Sequence, residues 1–184
     1  MDSMTEHTSQ PPALDVRRVA DDQWELVAWL WQAYRNDLAP IVDSYPRPDG
    51  RYQHSMLDGF PGPDRTGYLA WQPHPQQGDD APVALALVSG LEGDRRNMVA
   101  FWTAPVTRRS GLGGRLALDV LGRHPGPWTI AFQQDNQDAA RFWRRIASEA
   151  FGPVGQAWTE AVRPVPGKPE VPPDHWIETT TSAS

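Results

Sequence analysis

Residues 97–124 constrain the fold more than any other part of the chain, because their pattern changes from one regular structure to another. Residues 97–103 form an apolar, β-prone run that is too short for a helix, and Pro105 just after it cannot donate to a β-ladder. From Gly111 onward apolar residues recur at helical spacing until Pro125. The segment therefore predicts a strand, a loop and a helix, in that order.

The loop between this strand and this helix has the composition of an anion site. It contains two arginines and three glycines, in the order Arg108-Arg109-Ser110-Gly111-Leu112-Gly113-Gly114. At a helix N-terminus, unpaired N–H groups and the positive end of the helix dipole attract phosphate, and glycine lets a bulky anion approach the backbone. The loop therefore predicts a phosphate site.

Three glycine motifs compete for this loop. A P-loop needs Gly-Lys-Ser/Thr and no lysine is present here, while a Rossmann fingerprint needs a third glycine where Leu116 stands. The pattern that fits is Arg/Gln-x-x-Gly-x-Gly, with Arg108, Gly111 and Gly113 at its fixed positions. It resembles the acetyl-CoA pyrophosphate loop of the GCN5-related N-acetyltransferases, the GNAT family.

A second segment strengthens this resemblance. Residues 128–133 form another short apolar run, and residues 136–150 carry apolar side chains on one helical face. Within the latter, NQDAARFW from Asn136 to Trp143 is similar to the family's second motif, Asn-x-x-Ala-x-x-Phe/Leu-Tyr. Two motifs in the family's order and separation are harder to obtain by chance than either one alone.

The rest of the pattern predicts an α/β fold. Further strands are expected at residues 14–19, 66–72, 82–90, 156–165 and 174–180. A helix is expected at residues 23–38 with Pro40 as its end, and residues 41–64 should be irregular apart from a short helix within 51–57. The order resembles the GNAT fold, which has a mixed, mostly antiparallel sheet, helices on both faces and splayed central strands.

Length and composition predict one cytoplasmic domain at residues 13–180, with disordered ends at 1–12 and 181–184. The start of the chain is polar and acidic, unlike a signal peptide, and the most apolar window is too short to span a bilayer. No membrane contact is expected. The chain has no cysteine, and His7, His74, His124 and His175 lack metal-ligand spacing, so we expect no disulfide, thiolate nucleophile or metal site.

Charge is unevenly distributed along the chain. The net charge is −6, yet residues 95–145 contain nine arginines against three aspartates, a balance of +6 that leaves −12 for the remainder. The basic segment coincides with both motifs, as a ligand with several phosphates requires. The acidic total and the single lysine argue against nucleic acid as the ligand.

The resemblance implies that acetyl-CoA lies between the fourth and fifth strands. Backbone groups at the end of the fourth strand would pair with the pantetheine arm, namely those of Phe101, Trp102 and Thr103. The pyrophosphate would be held by the N–H groups of Arg109, Ser110, Gly111, Leu112, Gly113 and Gly114. Arg108 and Arg109 would add side-chain charge, and Asn136 would either hydrogen bond to the pantetheine or cap its helix, two roles that do not exclude each other.

The acid and base of the reaction are not assigned by the sequence. Many relatives carry a tyrosine where Trp143 stands, and the indole N–H is not acidic enough to protonate a thiolate. Trp143 would then pack against the cofactor. The carboxylate that several relatives carry in the fourth strand is also missing here.

Residues that border the acceptor side are the candidates for the base. They are Tyr34, Asp37, His54 and Asp58, and each also has a structural interpretation. The aromatic residues Trp29, Trp31, Tyr34 and Tyr52 fit either core packing or a flat acceptor pocket. The acidic surplus outside the basic segment is compatible with a cationic small molecule, although solubility explains it as well.

The sequence therefore predicts an enzyme that moves an acetyl group from acetyl-CoA to a primary amine of a small molecule by direct attack. One alternative is a catalytically silent acyl-CoA-binding or protein-interaction module of the same fold, and another is a nucleotide-binding protein with the same glycine loop. The segments LWQAYRNDLAP, GYLAW and RFWRRI resemble a bacterial subgroup of acetyltransferases whose substrates are unassigned. Family analogy allows a homodimer in which residues from Pro164 onward take part.

Overall fold

The computed structural model describes residues 14–165 and 173–183, which we call the described residues. Its strands are β1 (Asp15–Arg18), β2 (Arg65–Pro73), β3 (Asp80–Ser89), β4 (Arg96–Thr103), β5 (Trp128–Gln133), β6 (Trp158–Arg163) and β7 (Asp174–Thr179). Its α-helices are α1 (Trp24–Val42), α2 (Leu112–Arg123) and α3 (Gln137–Phe151). The predicted tail at residues 1–12 lies outside the described residues, and so does most of the proline-rich connection before β7.

The seven strands form one sheet in the order β1-β2-β3-β4-β5-β7-β6. Every neighbouring pair is antiparallel except β4 and β5, which run parallel. The predicted mixed and mostly antiparallel sheet is confirmed. The element order is also the predicted one, because the helices have an apolar period near 3.6 residues and the strands are short apolar runs bounded by turn residues.

The two central strands separate partway along their length. β4 and β5 pair at only three positions, the last of which joins Met98 to Ile130. At the same point the register between β3 and β4 shifts, so that Val99 has no partner on β3. Such a bulge bends and twists its strand. The end of β4 therefore diverges from β5 and leaves a gap, as the prediction of splayed central strands requires.

Helices cover both faces of the sheet, as predicted. α2 and α3 pack on one face through fully buried side chains such as Leu116, Val120 and Ile146. α1 packs on the other face, where Val27 and Trp31 lie in one cluster with side chains of β2 and β3. Trp31 is buried, but Trp29 remains 65% exposed, so the predicted aromatic group does not form one core.

The prediction that Pro40 ends the first helix is wrong. α1 continues through Pro40 to Val42, and Asp43 caps it in the left-handed region with its N–H bonded to the Ala39 carbonyl. Proline removes the N–H that would bond to the Asn36 carbonyl and its ring crowds that carbonyl, but only two helical residues follow Pro40, so little of α1 is disrupted. The helix predicted within residues 51–57 is a single 3₁₀ turn, Ser55–Leu57. No helix of the described residues is long and apolar enough to cross a membrane.

Candidate functional site

A cavity of about 800 Å³ opens where β4 leaves β5. Its walls come from α1, the end of β4, the loop before α2, and the first turns of α2 and α3. Among the residues predicted from the sequence, it is lined by Tyr34, Asp37, Phe101, Trp102, Thr103, Arg108, Arg109, Gly111, Gly113, Gly114, Asn136 and Trp143. The fold therefore brings both predicted motifs and part of α1 to one place.

Two predicted loop residues, Ser110 and Leu112, serve the loop rather than the cavity. The Ser110 hydroxyl donates to the Thr107 carbonyl at 2.6 Å and accepts from the Leu112 N–H at 3.4 Å. The Leu112 side chain is fully buried in the core. Both residues hold the turn in place, and neither side chain lines the cavity.

The backbone at the start of α2 provides open hydrogen-bond donors. The Arg115 N–H bonds to the Gly111 carbonyl at 3.1 Å, whereas the N–H groups of Gly113 and Gly114 meet no acceptor within residues 14–165 and 173–183. The first N–H groups of any helix lack intrahelical partners and carry the positive end of its dipole. These donors fit a diphosphate.

Glycine is required at the two fixed motif positions for different physical reasons. Gly111 has a φ of 81°, and a β carbon there would meet nothing within 4 Å. A β carbon on Gly113 would lie 3.3 Å from the Thr103 Cγ2 atom, which is tighter than ordinary packing. Gly111 thus supplies the left-handed turn and free access, and Gly113 lets α2 approach β4.

The end of β4 presents alternate backbone groups to the gap. The Ala104 N–H donates to the Val83 carbonyl at 2.8 Å, so backbone groups of even-numbered residues near it point to β3. The backbones of Phe101 and Thr103 therefore face the gap, and that of Trp102 does not. Of the three residues expected to pair with a pantetheine arm, two have backbone groups in position for it.

Aromatic rings form the wall of the cavity on the α3 side. The ring centroids of Phe101, Phe142 and Trp143 lie 4.9–5.4 Å apart. Trp143 is 5% exposed and belongs to the core beneath α2 and α3. Its position is one for packing against a ligand, in line with the interpretation based on the missing tyrosine.

Asn136 occupies the N-cap of α3. Its Oδ1 atom accepts from the Ala139 N–H at 3.1 Å, so the capping interpretation holds in this structure. The Nδ2 group makes no hydrogen bond to any described residue, and Asn136 lines the cavity, so this amide can still donate to a ligand.

Asp37 connects α1 to the other side of the cavity. Its Oδ2 atom accepts from the Trp102 Nε1–H at 2.9 Å and also contacts Nη2 of Arg108. The Nε–H of the same arginine donates to the Thr103 carbonyl at 3.2 Å. The Arg108 guanidinium therefore lies at the end of β4, paired with a carboxylate.

Solved structures of acetyltransferases share this architecture. NAA60 of Arabidopsis thaliana in complex with a bisubstrate analogue aligns with a TM-score of 0.64 at 11% identity, over 94% of this chain and 100% of that chain. The ribosomal-protein-S18-alanine N-acetyltransferase of Escherichia coli gives 0.54 at 12% identity, over 94% and 96%. A Bacillus subtilis acetyltransferase in complex with CoA gives 0.52 at 12% identity, over 91% and 99%.

The chain has the GNAT fold. The predicted resemblance is confirmed at that level, over nearly the whole chain and nearly the whole of each solved structure. No protein-family model and no curated protein matches the sequence. At these identities the comparisons establish the fold alone, and the residues of this chain must carry the argument for its activity.

The fold places only some of the candidates for the general base at the cavity. Tyr34 and Asp37 line the cavity, whereas His54 borders a smaller depression formed with Glu25, Trp29 and Gln32. The Nδ1 atom of His54 lies 3.9 Å from Oδ1 of Asp58, and both side chains are mostly exposed. The structure therefore brings neither His54 nor Asp58 to the cavity.

Tyr34 lies in a poorly solvated part of the cavity wall, with its ring centroid 5.3 Å from that of Trp31. Burial raises the pKa of its phenol above the ordinary value; the positive charge of Arg35 offsets part of this rise, and the negative charge of Asp174 adds to it. At neutral pH the hydroxyl is therefore protonated. Tyr34 can donate or accept a hydrogen bond but does not act as a ready-made base.

Several cavity residues were not predicted from the sequence. They include Leu38 and Ile41 of α1, Thr107 of the loop, and Asp138, Ala139, Phe142 and Arg145 of α3. Ile41 was missed because α1 was expected to end before Pro40, and Leu38 because it was assigned only to the packing stripe of that helix. The α3 residues stand inside the second motif or two residues after it, and helical spacing from Asn136 would have identified them.

Proposed function

We propose that this protein is a cytoplasmic, acetyl-CoA-dependent N-acetyltransferase whose acceptor is a primary amine of a small molecule. The proposal rests on one observation: a single cavity joins the open N–H groups of Gly113 and Gly114 to the unpaired edge of β4. A diphosphate needs the first feature, and an extended amide-containing arm needs the second.

The residues present fit the donor along its length. The N–H groups at the start of α2 would bind the diphosphate, with Arg109 and Arg145 as nearby cations on the cavity wall. The Asn136 amide would donate to the pantetheine arm. The gap-facing groups of Phe101 and the Thr103 N–H would continue the sheet with it, while the Thr103 carbonyl accepts from Arg108.

Acetyl-CoA supplies the acetyl group as an activated thioester. The gap-facing N–H groups of β4 can stabilise negative charge that develops on the carbonyl oxygen. The α1 side of the cavity offers the carboxylate of Asp37 and the hydroxyl of Tyr34 to an incoming ammonium group. Because the amine must lose a proton before it attacks, water in this open cavity is the route by which the proton leaves.

Trp143 favours one alternative, a catalytically silent acyl-CoA-binding module. Its indole replaces the tyrosine expected from the family motif, and it cannot protonate a departing thiolate. In the active enzyme the thiolate would leave without an acid, which its modest basicity permits. In the silent module, the same cavity would bind acyl-CoA and release nothing.

A transfer assay distinguishes these functions. The protein is incubated with acetyl-CoA and one of two panels, small primary amines or peptides with free N-termini, while free thiol and acetylated amine are measured by absorbance and mass spectrometry. Thiol release that depends on a small amine supports the proposal. Thiol release with peptides alone would show that the acceptor is a peptide rather than a small molecule. Binding of acetyl-CoA without thiol release on either panel would favour the silent module.

A further inference from the structure

Arg108 belongs to the phosphate-binding motif, yet its guanidinium is bonded to Asp37 on α1. We infer that Asp37 holds Arg108 in the ligand-free protein, that Arg108 leaves it for the CoA diphosphate, and that the released carboxylate then faces the ammonium group of the acceptor. This inference rests on the proposed function, because it needs both a diphosphate and an amine in the cavity.

The contacts of Arg108 support this exchange. Both Arg108 and Asp37 line the cavity, together with the glycines whose N–H groups are open. The side chains of the pair are 45% and 37% exposed, so water already reaches both charges. Asp37 and the Thr103 carbonyl both accept from this exposed guanidinium, and an exposed ion pair contributes little, whereas a diphosphate offers several charged acceptors to one guanidinium. The diphosphate is therefore the stronger partner.

The carboxylate remains oriented when the arginine leaves. Trp102 Nε1–H donates to the same Oδ2 atom at 2.9 Å, and Trp102 is 8% exposed, which fixes its indole. Tyr34 lies one helical turn before Asp37 on the same face of α1. Leu38 and Ile41 line the same wall. The acceptor that fits is thus a cationic amine with an apolar portion beside its ammonium group.

The exchange couples the two ligands. While Arg108 neutralises Asp37, a cationic amine meets no unpaired carboxylate on this wall of the cavity. Once Arg108 binds the diphosphate, Asp37 regains a free negative charge. Each ligand then favours the other, since a coupling free energy between two sites is reciprocal.

Side-chain NMR of arginine tests the exchange directly. The Nε–H signal of Arg108 is assigned by its absence in Arg108→Lys, and it is recorded for the wild type and Asp37→Asn, with and without CoA. We expect Asp37→Asn to move this signal in the free protein and to leave it unchanged in the CoA complex. By calorimetry, Asp37→Asn should also bind CoA about two- to fivefold more tightly, because no ion pair has to break.

Asp119→Asn is the matched control. Asp119 pairs with Arg123 on α2 with almost the same exposure, 36% and 41%, and it does not line the cavity. The Asp119→Asn substitution removes the same charge from the protein as Asp37→Asn does. Its effect on the Arg123 Nε–H signal should be equal with and without CoA, and CoA affinity should not change. If the backbone spectrum shows that Asp37→Asn is not folded, Asp37→Ser takes its place.

The outcomes separate this inference from the proposed function. If CoA shifts the amides of Gly113 and Gly114 but Arg108 still responds to Asp37→Asn in the complex, the exchange is wrong and the CoA site stands. If CoA shifts no signal at any concentration, the proposed function fails and the exchange fails with it. The exchange is supported only if Asp37→Asn moves the Arg108 Nε–H signal in the free protein and leaves it unchanged in the CoA complex.

Discussion

At the scale of single residues, Asp37 has the environment of a binding group. Its Oδ2 atom already accepts from Trp102 and contacts the Arg108 guanidinium. Both contacts hold the carboxylate in one orientation on the cavity wall. In the proposed reaction Asp37 is therefore placed to bind the ammonium group of the acceptor.

This role predicts a specific kinetic pattern for Asp37→Asn. With an amine identified by the transfer assay, we expect the amine KM to rise about tenfold, as for a lost charged hydrogen bond. The KM of acetyl-CoA should fall and kcat should change little. Steady-state kinetics on both substrates measure this, and a large fall in kcat with an unchanged amine KM would instead make Asp37 the base.

The pairing of Asp37 with Arg108 is also the part of the site that sequence analysis could not reach. The two residues are 71 positions apart and stand in unrelated elements. Local sequence patterns predicted the glycine loop, because its chemistry depends on backbone freedom within seven consecutive residues. No local pattern encodes which side chain of α1 meets the loop, because that depends on how α1 packs on the sheet.

At the scale of elements, the end of β4 determines what the cavity can bind. The backbone groups of Phe101 and Thr103 pair with no strand of the described part of the chain on the gap side, whereas Trp102 is turned to β3. The short apolar, β-prone run predicted the strand itself. The bulge at Val99, which separates β4 from β5, depends on the register between strands and has no local signal.

Hydrogen exchange measured by NMR tests this alternation. We expect the amides of Phe101 and Thr103 to exchange quickly in the free protein and slowly in the CoA complex. The Trp102 amide should be protected in both, because its bond to β3 does not depend on the ligand. Equal protection of all three amides without CoA would show that the gap is closed.

A second cluster of contacts joins α3 to β6 and β7. Arg144 donates to both carboxylate oxygens of Glu160 at 2.8 Å, and Nδ1 of His175 lies 2.5 Å from one of them. The Arg144 guanidinium, and then His175, hold the pKa of Glu160 down to about 2. A carboxyl whose pKa is lower when folded stabilises the protein above its unfolded pKa, and this stability is lost as the pH falls towards the folded value.

The Glu160→Gln variant tests this contribution. We expect the free energy of unfolding at pH 7 to fall by about 1–2 kcal/mol, a value reduced for the solvent that still reaches the carboxylate. Between pH 5 and about 2 the variant should lose less stability than the wild type. Urea unfolding across this range measures both effects. Glu149→Gln is the control, because its pair with Arg145 is exposed and longer, at 3.6 Å; an equal change in that variant would contradict a special role for Glu160.

At the scale of the whole molecule, charge and fold agree. The basic segment at residues 95–145 contains the end of β4, the glycine loop, α2 and most of α3, which together surround the cavity. The acidic remainder includes α1, which supplies Asp37. Among the residues that line the cavity, Arg108, Arg109 and Arg145 come from the basic segment and Asp37 comes from α1, which suits an anionic donor and a cationic acceptor.

In the proposed function, the cavity binds acetyl-CoA through the start of α2. Calorimetric titration with acetyl-CoA tests it on three proteins: the wild type, Gly111→Glu and Gly155→Glu. Gly155 has the same φ of 81° as Gly111 and the same open space at its β position, but it lies outside the cavity, so it matches the backbone strain without the charge in the site.

We expect saturable binding by the wild type and by Gly155→Glu, and its loss in Gly111→Glu, where a carboxylate stands in the place of the diphosphate. Circular dichroism establishes that both variants are folded. Binding that survives in Gly111→Glu, or that is absent from the folded wild type, would contradict acetyl-CoA binding at the start of α2.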